Sequence, residues 1–437
     1  MQRISIIADD LTGASDSGVQ FARKGLRTQV IFDWMGLSRE TEGLDAIVID
    51  TDSRALPGDT AYQRVKSAAE ALKKAGFSWI YKKMDSTLRG NIGQEINAVM
   101  DAYGFEAAFI APAFPRIGRT TVNGIHYLNN TPIHETEIAK DPKTPVPESE
   151  IAQILSIQSG RASVCIPLST LRKGLETTYK AIQEELERKV TLFIFDAESD
   201  ADLNIIAQLM SVFGSRVLWA GSAGLAEFLP VNGSRERQRR AFGSPDHGQV
   251  MLVAGSISAV TREQVSEVNR GSNVVAVELN PLAVIGSNDE RANEIERCCS
   301  ELASALSRNL DISLYAGSSP EQVRSVKEKG ARLGWKPSDA SNQIADMLGE
   351  ISSKIITAFQ VKGLVLTGGD TAKAVCKHLG VYGFELLDEV EVGIPYGTLL
   401  GDVSLMAVTK AGAFGTNQSL LHAMHYLKEG KGVQEDA

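Results

Sequence analysis

Short β-branched runs alternate with stretches of helical periodicity through the first half of the chain. That alternation marks an α/β domain with a largely parallel sheet. Strands are predicted at 4–8, 28–32, 46–50, 79–82, 107–110, 163–166, 192–195 and 217–220, with helical patterns in most of the gaps. From 229 to 248 the pattern lapses into LPVNGSRERQRRAFGSPDHG, polar and arginine-rich between glycine and proline, the composition of an interdomain linker. After Gln249 the alternation resumes, with strands predicted at 250–254, 274–277, 312–315, 364–367 and 405–408. Ser341 is placed to cap a helix over 341–359 whose Ile344, Leu348, Ile351, Ile355 and Phe359 fall on one face. The predicted architecture is two α/β domains, each with a largely parallel sheet flanked by helices: 1–230 and 249–437, joined by a linker at 231–248.

Length and composition agree with this division. At roughly 150 residues per domain, a chain of 437 residues is long for one core and suggests two or three domains, of which the pattern favours two. With 43% hydrophobic and 23% charged residues it is of ordinary globular composition. A net charge of −9 argues against a nucleic-acid surface, which leaves a basic footprint. The run Arg235–Arg240 is read as a solvated face before an anion-binding patch. No stretch of 18 apolar residues occurs, so no membrane helix is expected, and Asp9 and Asp10 interrupt the N-terminus before a signal sequence can build. Cys165, Cys298, Cys299 and Cys376 form no C-x-x-C pair or zinc spacing, which suggests buried thiols in a reducing cytoplasm.

Candidate chemistry gathers where strands give way to helices. Free backbone N–H groups and the helix dipole attract phosphate there. Three such turns lie in the C-terminal half: Gly255, Ser256 and Ser258; Thr367, Gly368, Gly369, Asp370 and Thr371; and the KAGAFGT turn with Ala411, Gly412, Ala413 and Phe414. Glycine alone makes tight turns, but three hydroxyl-bearing turns from one sheet favour a nucleotide. Neither a P-loop nor a G-x-G-x-x-G after a strand is present.

The N-terminal half offers charge instead. Asp9 and Asp10 end the first strand, and adjacent carboxylates repel unless they meet a cation, a proton or a hydroxylated substrate. Asp10 also suits a helix N-cap. Arg54 follows the third strand and is suited to gripping a carboxylate bidentately. Lys82, Lys83, Met84, Asp85, Ser86, Thr87, Arg89 and Asn91 form a dense run after the fourth. Arg116, Arg119, Thr120, Asn123 and His126 are assigned to a loop because Pro112 and Pro115 precede them. His126 alone reads more readily as a structural hydrogen-bonder than as a catalyst. Two other readings compete. Ser222, in AGSAG, approximates a nucleophile elbow but lacks its first glycine and a recognisable histidine partner. A non-catalytic sensor of a hydroxylated acid would explain the charged half but not the glycine turns.

The ordered segments ADDLTGASD, KKMDSTLRGN, PAFPRIGRTT, TGGDTA and KAGAFG resemble the four-carbon acid sugar kinase family over essentially the whole chain. The stretch GIHYLNNTPIHETEIAKDPKTPVPES is more similar to its D-threonate-phosphorylating members than to those acting on oxo-tetronates. The resemblance implies a sugar-acid-binding N-terminal domain, a nucleotide-binding C-terminal domain and phosphorylation at O4 by ATP, which arrives with Mg²⁺. It implies that Asp9 or Asp10, Arg54 and residues 82–86 bind the acid, with Arg89 from the same polar run a further candidate, and that Ser256, Gly368, Gly369 and residues 411–414 bind ATP. Asp85 and Asp10 are then candidates for the proton acceptor, Lys82 and Lys83 for steadying the phosphoryl group, and Asp370 for meeting the metal. Direct metal ligands are not assigned, and a homo-oligomer is left open.

Overall fold

The computed structural model describes residues 3–32, 34, 37, 43–141, 143–231, 248–412 and 414–429. Chain contacts divide it into two units, Met1–Arg237 and Gln238–Ala437. Most of the predicted linker lies outside the described residues.

The N-terminal unit is built on β1 (Ile4–Ala8), β2 (Thr28–Ile31), β3 (Ala46–Asp50), β4 (Trp79–Lys83), β5 (Ala108–Ala111), β6 (Arg119–Val122), β7 (Ile125–Leu128), β8 (Thr131–Pro132), β9 (Ser163–Ile166), β10 (Leu192–Phe195) and β11 (Leu218–Gly221). Its main sheet runs β2-β3-β1-β4-β11-β5-β10-β9 with parallel pairings throughout. β1, β3, β4, β5, β10 and β11 are buried at every position. Such strands read as continuous apolar runs because helices cover both faces. Phe109 centres one core, meeting the rings of Phe193, Phe195, Phe213 and Trp219 edge-on. Helices α1 (Leu11–Ala22), α2 (Gly58–Lys74) and α3 (Ile92–Tyr103) follow β1, β3 and β4.

Two expectations need correction. Residues 119–128, assigned to a loop, form the hairpin β6–β7, extended by β8. Asn123 and Gly124 turn at φ 50° and 75°, the left-handed pair that closes a tight hairpin. The prolines that suggested a loop lie before the first strand. The helix expected at 341–359 spans Pro337–Ala358, with Lys336 at its N-cap and the Asp339 carboxylate accepting the Lys336 N–H at 2.8 Å. Ser341 is inside it, while Leu348, Ile351 and Ile355 are buried as the spacing requires.

The C-terminal unit contains β12 (Gln249–Ala254), β13 (Val274–Leu279), β14 (Asp311–Ala316), β15 (Val361–Thr367), β16 (Val381–Glu391), β17 (Ile394–Gly401) and β18 (Met406–Lys410), in the order β13-β14-β12-β15-β18-β17-β16. The first five are parallel, whereas β17 runs antiparallel to both neighbours. β16 and β17 had no counterpart in the predicted strands. Acidic side chains at Glu385, Asp388, Glu389 and Glu391 interrupt the apolar pattern there, on a strand only partly covered. β12 and β15 are neighbours, yet the chain visits β13 and β14 on the far side of β12 between them. Their following helices diverge: Ala259–Asn269 packs with Ser419–Glu429, and Gly369–His378 with Pro337–Ala358. The carboxyl ends of β12 and β15 therefore flank a topological switch point, where open α/β sheets bind ligands.

Candidate active site

At the carboxyl end of the N-terminal sheet, charged side chains lock together. β1 delivers Asp9 and Asp10, and Asp10 caps α1 by accepting the Gly13 N–H at 2.8 Å. Arg54, in the loop that follows β3, donates to Asp9 through Nε (2.7 Å) and Nη2 (3.0 Å), and to Asp10 through Nη1 (2.9 Å) and Nη2 (2.7 Å). The expected carboxylate fork is thus formed with the protein's own aspartates. Burial would raise Asp9, but Arg54, Lys82 and Lys83 hold it below the usual carboxylate range.

β4 delivers the second group. Asp85 accepts from Arg89 Nε (2.9 Å) and Nη2 (3.1 Å) and from the Thr87 hydroxyl, and Arg54 Nη2 stands 3.5 Å away. Burial opposes ionisation of Asp85, yet Arg89 and Arg54 hold it well below the usual range. Arg89 also reaches Asp141 at 3.7 Å. The two lysines differ. Lys82 is fully buried and paired with Glu95 at 2.7 Å, and Glu95 in turn accepts the Ser53 hydroxyl at 2.7 Å. Lys83 Nζ donates to the Met84 carbonyl at 2.8 Å and pairs with no carboxylate among the described residues. A Cβ on Gly13 would stand 2.8 Å from Lys83 Nζ and 2.7 Å from Asp10 Oδ1, so this glycine leaves the space in which the two groups face each other. The Met84 side chain belongs to the core, and only its backbone reaches the site.

Both loops bearing these groups are strained. Asp52 has φ 49° and Leu88 φ 61°. A buried leucine in that left-handed region costs roughly 1–2 kcal/mol, and such strain persists only where the surroundings overdetermine it. Ser86 is buried, and its carbonyl accepts from His126 Nε2 at 2.9 Å. Other polar groups of the same region are used elsewhere. Arg116 pairs with Asp200 and Glu227 at the surface, and the Asn123 N–H donates to Asp196 in the hairpin turn. Ser222 is completely buried; its hydroxyl donates to the Ala113 carbonyl at 2.7 Å and accepts the Gly224 N–H at 3.0 Å, capping a helix. A side chain so committed is no nucleophile.

In the C-terminal unit the three turns meet. A Cβ on Gly412 would lie 2.3 Å from Ser256 Oγ, one on Gly255 2.1 Å from Thr371 Oγ1, and one on Gly368 3.6 Å from the Ser256 amide nitrogen. The residues after β12, β15 and β18 thus touch one another through positions that tolerate no side chain, leaving backbone and hydroxyls to form a cradle. Gly368 has φ 98°, which glycine adopts freely. The last turn is anchored from beneath. Lys410 Nζ donates to the carbonyls of Ala411 (2.7 Å) and Phe414 (3.0 Å), Thr261 Oγ1 to Gly412 (2.7 Å), and Gln264 Nε2 to Phe414 (3.0 Å) and Thr416 (2.6 Å). Asp370 is exposed on the first turn of its helix, and Ala413 lies outside the described residues. No His, Cys, Asp and Glu cluster suited to a metal is present among the described residues.

Comparison with known proteins gives these two constellations a family. A sugar-binding N-terminal domain model matches residues 4–229, and a nucleotide-binding C-terminal domain model matches residues 251–420. D-threonate kinase of Salmonella typhimurium is 35% identical over 98% of this chain and 99% of its own. The chain belongs to the four-carbon acid sugar kinase family. D-erythronate kinase of Heliobacterium modesticaldum is 32% identical over 98% of this chain and 97% of its own, and 3-oxo-tetronate kinase of Pseudomonas savastanoi 30% over 97% of each. A solved structure from Salmonella typhimurium, provisionally described as a tRNA synthase, superposes with a TM-score of 0.80 at 25% identity, covering 96% of this chain and 98% of its own.

The two units gather different materials at their strand ends: charged side chains in one, backbone and hydroxyls in the other. Sequence reasoning missed the supports, namely Glu95 beneath Lys82, and Lys410, Thr261 and Gln264 beneath the last turn. Glu95 and Gln264 lie within helices whose periodicity gives no sign of a polar contact with a strand end or the turn beyond it. Lys410 was in view as the first residue of the KAGAFG segment.

Proposed function

We propose that the chain transfers the γ-phosphoryl group of MgATP to the 4-hydroxyl of a four-carbon sugar acid, and that the acid is D-threonate. The observation carrying the reading is the coexistence in one chain of a carboxylate-and-guanidinium cluster at the strand ends of one unit and a backbone phosphate cradle at those of the other. D-threonate is favoured by the full-length relatives bearing that name, with D-erythronate second on the strength of the Heliobacterium relative.

Phosphoryl transfer asks the protein mainly to position the two oxygens in line and to neutralise charge. Arg54 fixes the Asp9 and Asp10 carboxylates so that the acid's hydroxyls meet acceptors already in place. Lys83 supplies the positive charge that meets the substrate carboxylate or the transferring phosphoryl oxygens. Lys82, closed in its pair with Glu95, supports the strand end that presents Lys83. The proton of the 4-hydroxyl passes to Asp10 or Asp85. Asp85 is held so acidic that it accepts only as the new P–O bond forms, which a loose transition state permits. Ser256, the Gly368–Gly369 turn and the Ala411, Gly412 and Phe414 segment receive the phosphates, with Asp370 meeting the magnesium of the substrate through water.

The test is ADP release with MgATP against D- and L-threonate, D- and L-erythronate, and 2- and 3-oxo-tetronate. Turnover chiefly with D-threonate upholds the whole reading. Turnover with another four-carbon acid keeps the kinase and replaces its substrate, and silence across the panel from folded protein overturns both.

A further inference from the structure

We infer that His126 is a positioning residue for the sugar acid, clamping the strained segment 82–89 in its binding shape through the Ser86 carbonyl. The inference rests on the kinase reading and adds to it a residue from the β6–β7 hairpin that touches none of the charged groups of the site.

His126 is wholly buried, and both ring nitrogens are occupied. Nε2 lies 2.9 Å from the Ser86 carbonyl, which can only accept, so Nε2 carries the hydrogen. Nδ1, 2.9 Å from Thr121 Oγ1, is then the acceptor of the threonine hydroxyl. The tautomer is thereby fixed by its two partners. Burial keeps the ring neutral, with its pKa pushed down to about 4. Thr121 is itself immobilised, since its backbone exchanges hydrogen bonds of 2.9 and 3.0 Å with Ala197, just past β10. The His126 N–H donates to the Ser149 carbonyl at 2.9 Å. The imidazole is thus held from the hairpin and from the end of β10, and its remaining donor is aimed at the segment bearing Lys83, Asp85 and Arg89.

That segment needs an external hold. Leu88 sits at φ 61° and Gly90 at φ 94°. Thr87 and Arg89 are turned back on Asp85 by their own N–H groups, at 3.2 and 3.3 Å. These internal bonds fold the turn around Asp85, while Arg54 Nη2, 3.5 Å from Asp85, and Asn91 Nδ2, donating to the Ser53 (3.1 Å) and Leu56 (2.9 Å) carbonyls, tie it to the Arg54 loop. The bond from His126 adds a hold at Ser86, in the middle of the segment, from the hairpin side. Loss of the clamp lets Asp85 and Arg89 move relative to the Asp9–Asp10–Arg54 cluster and to Lys83, which β4 keeps in place, and misplacement of binding groups by a fraction of an ångström weakens recognition without touching the nucleotide cradle.

The experiment compares wild type with His126→Leu, His126→Gln and Thr121→Val, measuring melting temperature, the KM of acid and of ATP, and calorimetric binding of D-threonate. The expected result is an acid KM or Kd raised roughly tenfold in His126→Leu, with the ATP KM unchanged. His126→Gln, which keeps a donor able to reach the Ser86 carbonyl, should recover most of the loss. Thr121→Val, which frees the tautomer while leaving the ring, should shift acid binding in the same direction by less. Folded His126→Leu with wild-type acid binding overturns the clamp and leaves the kinase reading intact. If His126→Leu does not fold, Thr121→Val and His126→Gln decide: unchanged acid binding in Thr121→Val, or equal losses for acid and ATP in His126→Gln, likewise overturn it. Wild type that neither binds nor phosphorylates any four-carbon acid sinks the kinase reading, and the clamp with it.

Discussion

The ends of the two sheets solve related problems with opposite materials. In the N-terminal unit nearly every group at the strand ends is an ionised side chain held by another. Arg54 carries two carboxylates, Arg89 a third, and Lys82 a fourth. In the C-terminal unit the corresponding positions are glycine, serine and threonine, and the side chains that matter point inward to hold carbonyls. A sugar acid presents several hydroxyls and one charge in a fixed stereochemistry, which directional side-chain groups distinguish. A polyphosphate presents repeated, symmetric charge, which a row of amides serves without discrimination.

The comparison is broken most severely through the lysine pair. If recognition in the N-terminal unit depends on which charges are left open, Lys83→Met should lower kcat/KM for the acid by roughly 10²- to 10³-fold, with a melting temperature close to wild type. Lys82→Met should act differently. Removing one partner strands Glu95 in the core, destabilising the protein by about 3–5 kcal/mol, and Lys82→Met combined with Glu95→Leu should restore much of that. Thermal denaturation and steady-state kinetics on the same preparations read both arms. Equal activity losses with equal stability in the two single variants would mean that the buried pair opens during turnover.

A smaller effect sharpens the other side. In Gly412→Ala the new methyl group would stand 2.3 Å from Ser256 Oγ and 3.2 Å from Ser256 Cβ, so the serine must leave its place in the cradle. The ATP KM should rise roughly tenfold, as expected for displaced hydrogen bonds to a charged group, while the KM for the acid stays put. An ATP KM unmoved by the substitution would mean that the turn does not approach the nucleotide.

The same contrast explains what was legible before the structure. Strands such as 46–50 and 192–195 have the bounds the sequence predicts, because buried parallel strands are continuous β-branched or aromatic runs. The residues at their ends were equally plain, since carboxylates and glycines stand out against such runs. The partners of those residues were not. Whether Lys82 faces Glu95 or solvent depends on a helical turn thirteen residues away, and the fork of Arg54 onto Asp9 and Asp10 joins segments 44 residues apart. The β6–β7 hairpin was hidden differently: Asn123–Gly124 is a strong turn signal that lost to the nearby prolines. In the β16–β17 pair, β16 carries too many acidic positions for alternation to show.

Lys410 tests whether the C-terminal cradle truly avoids buried charge. It is almost fully enclosed, and burial pushes its pKa down from 10.5 to about 7, with Glu391 opposing the shift. The unfolded chain keeps the ordinary value. Between about 7 and 10.5, therefore, the unfolded state holds a proton that the folded state has released, and stability rises with pH by at most about 1.4 kcal/mol per unit. Below that window both states are protonated and above it both are neutral, so the dependence disappears at each end. Chemical denaturation of wild type and Lys410→Met through this window isolates the contribution, because every other titrating group is common to both. A wild-type curve that climbs relative to the variant means that the lysine holds the Ala411 and Phe414 carbonyls as a neutral amine near physiological pH. Parallel curves mean that those carbonyls keep the ammonium charged. The cradle would then rest on a fixed positive charge directly beneath its third turn, and the two units would differ less in their materials than in the direction their charges face.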